Sequence, residues 1–316
     1  MKMKQVLLKV FLFIFVVGVL DFVFGLSINY LFKHAKGGEV YREKYICEQM
    51  KADMVIFGSS RAIHHYDPKI LSDSLHMSCF NAGYDGNGIL LMYAQYKMMN
   101  KHHIPKYILY DINPDADYYD DGDKHRFLNP IRAYYDIKGI DSIFWKVDEL
   151  DHLKYLSNLY KYNTVFTQFI SAYTSKNYSM NAGWKPMDKV MTQRPKDNEI
   201  GNILMTEKKV DEVKKYYFLR LISECKSNGT KLFFLVSPYY NSDDTKYNDI
   251  KRIAQENDIP FISYASDSCF RKKDDYFYDS VHLNRTGASA YSKAIVKDIK
   301  QKINIYEDTY NRNPNL

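Results

Sequence analysis

A chain of 316 residues is long enough for one sizeable core carrying an insertion. Its 44 Lys and Arg against 38 Asp and Glu leave a net charge of +6 with both signs mixed throughout, and without a basic block the case for nucleic-acid binding falls away. Cys47, Cys79, Cys225 and Cys269 are scattered with no C-x-x-C spacing, which removes zinc and dithiol chemistry. Cys79 and Cys225 lie in or beside apolar stretches and read as buried free thiols, a disulfide being the alternative in an exported body.

Residues 1–32 read as an N-terminal membrane anchor. The basic Met1-Lys2-Met3-Lys4 precedes an almost wholly apolar run from Val6 to Phe32, broken mainly by Lys9, Asp21 and Asn29. About 20 apolar residues cross a hydrocarbon core, whereas a cleaved signal has an apolar region of about 7–15 residues and a small-x-small cleavage site. An uncleaved anchor is therefore preferred to a cleaved signal. Lys33 and Lys36 balance Lys2 and Lys4, so charge bias alone is weak, but a short basic N-terminus favours the tail inside and the body outside. Asp21 either meets a partner inside the membrane or lies near its outer face.

Residues 33–51 read as a linker with a short helix, and residues 52–316 as the main domain. Asp53 to Phe57 is a short apolar run ending in Gly-Ser-Ser, as a strand buried on both faces would be. Met77–Asn81, Tyr107–Ile112, Lys231–Val236 and Phe261–Tyr264 read as four further strands. Helical spacing fills Ile89–Asn100, Val210–Ser227, Tyr247–Asn257 and Arg285–Ile303. Strands alternating with helices predict an α/β fold, three-layer α/β/α, around a central parallel sheet of about five strands. From about 115 to 207 the alternation stops. This stretch reads as a helical insertion between strands three and four, opening with the acidic run Asp115–Asp123. That run lacks the ordered spacing of a calcium loop and reads as solvated.

Ligands of parallel sheets bind beyond the carboxyl ends of the strands. There the sequence places Ser59-Ser60, Asn81 and Gly83, Asp111 and Asn113, with Asp279 and His282 just before the last helix. Attack on an ester needs a hydroxyl, a base, a group to orient the base, and donors for the oxyanion, and this set can supply each.

In order and character these blocks resemble the SGNH (GDSL-type) hydrolase family over about Ala52 to Ile303, the insertion apart. Gly58-Ser59-Ser60 matches the family's Gly-Asp-Ser, which makes Ser60 the nucleophile and leaves Ser59 in place of the Asp. Asn81-Ala82-Gly83 matches the second block and implies that Gly83 supplies an oxyanion N–H. Asp111-Ile112-Asn113 stands where the family has Gly-x-Asn. Asn113 would complete the oxyanion hole with Ser60 and Gly83, although the Gly is missing and a Pro follows. Asp279-Ser280-Val281-His282-Leu283 matches the last block and completes the catalytic set Ser60, Asp279, His282. With its N-terminal apolar span the chain is similar to the membrane-anchored subgroup that adds or removes acyl groups on cell-surface polymers. That implies an extracytoplasmic serine esterase or O-acyltransferase without cofactor or metal. Its implied partners are the membrane, an acylated polysaccharide or other surface polymer, and a membrane-bound O-acyltransferase. Loss of the Asp and Gly from two blocks keeps open a non-catalytic glycan-binding or accessory subunit.

Four further residues stand outside these blocks. Arg61 is either a contact for an anionic substrate group or one half of a structural ion pair. Trp184 is either an aromatic platform for a sugar or acyl chain, or core of the insertion. His64 and His65 lack the further ligands a metal would need.

Overall fold

The computed structural model describes residues 2–175, 180–192, 208–241 and 245–312, so part of the expected insertion (176–179 and 193–207) lies outside the described residues. The chain forms two compact units, Met1–Tyr45 with Lys124–Ser179, and Ile46–Asp123 with Met180–Leu316. The stretch between strands three and four is thus divided, its middle belonging to the unit that holds the N-terminal helix.

In the first unit, α1 runs from Lys2 to Lys33, and its stretch from Met3 is long and apolar enough to cross a membrane. A second helix, α2, begins at Gly38 and ends at Glu48, its residues from Ile46 onward being assigned to the second unit. The later part of the unit is a chain of short helices, among them Asp141–Val147, Asp151–Lys154, Asn158–Tyr162 and Phe166–Thr174. A small apolar core joins Ile28 and Ala35 to Tyr162, Val165, Phe169 and Ala172. Asp21 does not stand alone on α1. It accepts hydrogen bonds from Ser157 Oγ (2.6 Å), Leu159 N (2.8 Å), Asn158 N (2.9 Å) and Asn158 Nδ2 (3.2 Å), at the start of the helix Asn158–Tyr162.

The second unit is an α/β fold. Strands β1 (Met54–Gly58), β2 (Cys79–Asn81), β3 (Tyr107–Asp111), β4 (Lys231–Val236) and β5 (Phe261–Ser263) form one parallel sheet in the order β2-β1-β3-β4-β5. Both faces are covered, which is why β1, β3 and β4 read as continuous apolar runs. Met54, Ile56, Leu109 and Leu235 share a core with Tyr291, Ile295 and Ile299 of the last helix, Arg285–Arg312. From the other face Tyr110 and Phe234 meet Phe218 of the helix Glu212–Ser227, with ring centroids 6.3 and 5.2 Å apart. After β1 come α3 (Ser60–His65) and α4 (Pro68–Leu75), and after β2 comes α5 (Ile89–Met99).

The strand order has a reversal between β1 and β3, because the chain leaves β1 to one side for β2 and returns on the other for β3. Crevices for ligands open at such a point. Gly58 and Asp111 are paired across it, and Ser60 and Asn113 follow immediately.

Candidate active site

The turn from β1 into α3 sets the first side chain. Gly58 has φ +137°, and a Cβ there would lie 2.5 Å from Asp111 O and 2.9 Å from the Ala62 methyl. Only glycine fits, and the tight turn puts Ser60 on the first turn of α3. On the opposite side of the crevice, Phe277 and Leu283 form an antiparallel bridge that closes a loop, with Tyr278 N donating to His282 O at 2.8 Å. Within it Asp279 Oδ1 accepts the backbone N–H groups of Val281 and His282, each at 2.8 Å.

These elements bring three predicted residues into a line. Ser60 Oγ lies 2.8 Å from His282 Nε2, and His282 Nδ1 lies 2.9 Å from Asp279 Oδ2 and 3.1 Å from Oδ1. Burial works to raise the Asp279 carboxyl, but the His282 hydrogen bond and the two backbone N–H groups hold it below its ordinary value. A carboxylate on Nδ1 fixes that nitrogen as the donor and leaves Nε2 to accept the serine proton.

The three predicted oxyanion donors are differently placed. The Ser60 N–H belongs to the first turn of α3, where helical N–H groups have no partner within the helix. Asn113 Nδ2 reaches Ser59 Oγ at 3.5 Å, next to the nucleophile, so Ser59 faces Asn113 while Ser60 faces His282. The Gly83 N–H donates to Asn81 Oδ1 at 3.1 Å. Gly83 is nevertheless tied to α3 by shape, since a Cβ would come within 2.7 Å of Ile63 N.

Arg61 and Trp184 are not brought to the crevice as substrate contacts. Arg61 is 2% exposed and pairs with Asp111 at 2.7 Å. Its guanidinium also donates to Ile112 O (2.5 Å) and Ser237 O (3.2 Å) and lies 4.3 Å from the centroid of the Tyr239 ring. It knits the ends of β3 and β4 to α3, and although burial opposes its charge, Asp111 keeps its pKa above the ordinary value. The ion-pair reading therefore replaces the substrate reading. Trp184 is 7% exposed, packs in the core with Tyr66 and Leu71, and donates its indole N–H to His64 O at 2.9 Å. A ring closed in this way offers no open platform.

Three polar residues that sequence reasoning left without a role support the line. His65 is fully buried, and its Nε2 accepts the N–H of Leu283, the residue after His282, at 2.9 Å. That assigns the proton to Nδ1, which donates to Ser237 Oγ at 2.8 Å. Burial, with His282, Arg61 and His64 nearby, pushes the His65 pKa well below its ordinary value, so the ring is neutral. His64 contacts Asp85 Oδ1 (2.8 Å) and Lys185 O (2.5 Å), and its ring stands edge-on to His282 at 5.6 Å. Asp117 accepts the Asn113 N–H (2.7 Å) and the Tyr110 hydroxyl (2.7 Å), and burial pushes its carboxyl up to about 7 despite those bonds. The only signal in the sequence was the proximity of His64 and His65 to Ser60.

Among the described residues, His125, Asp148 and Asp151 could offer a metal ligand atom each, but Lys154 already pairs with both carboxylates. All four cysteines are free, with Cys47 and Cys225 buried.

No family model matches the chain, and no curated protein matches it either. Among solved structures it is similar to an acetyl xylan esterase, with 11% identity and a TM-score of 0.36 over 79% of this chain and 99% of that one. It is also similar to a family two carbohydrate esterase from Clostridium thermocellum solved with cellohexaose, with 9% identity and a TM-score of 0.36 over 81% of this chain and 66% of that one. Likenesses at this distance carry no functional weight.

Proposed function

We propose that the protein is a membrane-anchored, extracytoplasmic serine esterase or O-acyltransferase acting on acyl esters of a cell-surface polysaccharide or related polymer. The observation that carries this reading is the unbroken hydrogen-bonded line Ser60–His282–Asp279 at the reversal point of the sheet. Ser60 Oγ attacks the acyl carbon while its proton passes to His282 Nε2. Asp279 holds the ring and steadies the imidazolium. The carbonyl oxygen gathers negative charge in reach of the Ser60 N–H and Asn113 Nδ2. Collapse of that intermediate breaks the ester C–O bond, and His282 returns the proton to the departing hydroxyl. The acyl-serine is then attacked by water in an esterase, or by a polymer hydroxyl in a transferase, with His282 again taking the proton. The surface polymer and the outward orientation rest on the family resemblance and on α1.

One observation favours a second reading, a non-catalytic accessory or glycan-binding subunit of a membrane O-acyltransferase system: the Gly83 N–H is already paired with Asn81, which thins the oxyanion site. A fluorophosphonate probe separates the two. Labelling of the parent protein that vanishes in Ser60→Ala and survives in Ser59→Ala supports catalysis through Ser60, and no labelling of folded parent protein rejects it. Supplying an acyl donor with a polysaccharide acceptor then separates transfer to sugar from transfer to water.

A further inference from the structure

We infer that the short-helix segment around Leu150–Leu159 in the first unit is seated in the membrane leaflet, its exposed leucines in contact with lipid acyl chains. The inference rests on the reading of α1 as a membrane span. A hydrocarbon core of about 30 Å takes about 20 helical residues. Every window of that length beginning between Met3 and Phe11 includes Asp21, at the edge of the window when it begins at Met3 and near its middle when it begins at Phe11, so Asp21 lies at the boundary of the hydrocarbon or within it. The groups that bind Asp21 must reach the same depth, and they are Ser157 Oγ and the N–H groups of Asn158 and Leu159.

Two independent features fit that placement. The first is polar satisfaction. A carboxylate in hydrocarbon is tolerated only when paired, and so are the open N–H groups at a helix start. Asp21 and the first turn of Asn158–Tyr162 satisfy each other without water. The second is the apolar surface beside them. Leu150, Leu153, Leu156 and Leu159 recur every three residues and are 56%, 56%, 77% and 44% exposed. Leu156 precedes the residues bonded to Asp21 and Leu159 is one of them, and Phe22 and Leu26 of α1 are themselves open at that level. Phe166 and Ile170, one helical turn apart on Phe166–Thr174, are likewise exposed, while Phe169 of the same helix is buried against the α1 core. Lipid surrounding α1 at the height of Asp21 therefore meets these side chains as well. The segment acts as an interfacial foot beside the span.

The test uses the full chain in lipid nanodiscs. Cys269, the exposed cysteine, is first replaced by Ser. An environment-sensitive fluorophore is then attached at Leu156→Cys, and separately at Leu153→Cys in case one site disturbs folding. Phe15→Cys on α1 reports the span, and the exposed Lys69→Cys reports water. Quenching is measured with acyl-chain-brominated lipid and with aqueous iodide. Expected is bromolipid quenching at Leu156 and Leu153 of the same order as at Phe15, with iodide quenching several-fold weaker than at Lys69. Iodide quenching like that of Lys69, with bromolipid quenching confined to Phe15, overturns the inference and leaves the span intact. Shielding from both quenchers overturns it in favour of a protein partner or a second copy covering the leucines. Absence of bromolipid quenching at Phe15 overturns the span and this inference together.

Discussion

His65→Leu tests whether the catalytic histidine is held from behind. His65 joins α3 to the Leu283 N–H and to Ser237 Oγ, and all three residues are fully buried. Leucine fills much of the ring's volume but can neither accept nor donate, so it strands a buried N–H and leaves a buried hydroxyl short of one bond. A stranded buried group costs about 1–3 kcal/mol. Taking the N–H near the middle of that range and the hydroxyl near the bottom gives about 3 kcal/mol. For a unit of this size that lowers Tm by roughly 6–12 °C. The kinetic effect is separate. His282 is chained to Leu283, and a shift of about 1 Å in a catalytic group can cost about 10²-fold. The second-order rate of fluorophosphonate labelling is therefore expected to fall by about 10–100-fold, with kcat for an ester substrate falling more than KM rises. His65→Gln keeps one acceptor and one donor and should recover most of the rate. The reasoning is refuted if His65→Leu melts within about 1 °C of the parent and labels at the parental rate, or if Gln proves no better than Leu.

Three other outcomes follow from the same geometry. Asp279→Asn keeps the shape but presents a donor or a neutral oxygen to His282 Nδ1, and labelling should slow by about 10³–10⁴-fold with Tm changing far less; parental labelling would count against Asp279 as orienting group. Gly58→Ala forces a Cβ to 2.5 Å from Asp111 O at φ +137°, and denaturation should show a loss of more than about 2 kcal/mol, or no folded protein at all. Asp117 titrates near 7 when folded and near about 3.9 unfolded, so the unfolded chain holds fewer protons between those values and stability falls as pH rises through that window, by up to about 4 kcal/mol. Asp117→Asn should flatten that fall in urea titrations taken at successive pH values, and an unchanged slope would show that Asp117 is not its source.

Local sequence carried the fold class because its signals are local. Met54-Val55-Ile56-Phe57, Tyr107–Tyr110 and Leu232–Val236 are apolar without alternation, as strands covered on both faces must be, and polar or glycine residues mark where each ends. The unusual residue types at those ends, Gly58-Ser59-Ser60 and Asp279-Ser280-Val281-His282, were visible for the same reason. Strand order, by contrast, depends on which distant strands pair, and no spacing along the chain records it. The roles of Arg61, His65 and Trp184 were hidden likewise. Arg61 finds Asp111 only because Gly58 and Asp111 are paired across β1 and β3, and His65 finds Leu283 across more than two hundred residues. An apolar neighbourhood reads as core in the sequence whether or not an arginine is pinned inside it. What the sequence by itself determined is therefore the set of strands and the chemistry at their tips. The tertiary structure alone decided which of those groups meet, because hydrogen bonds and ion pairs act over about 3 Å of space and are indifferent to distance along the chain.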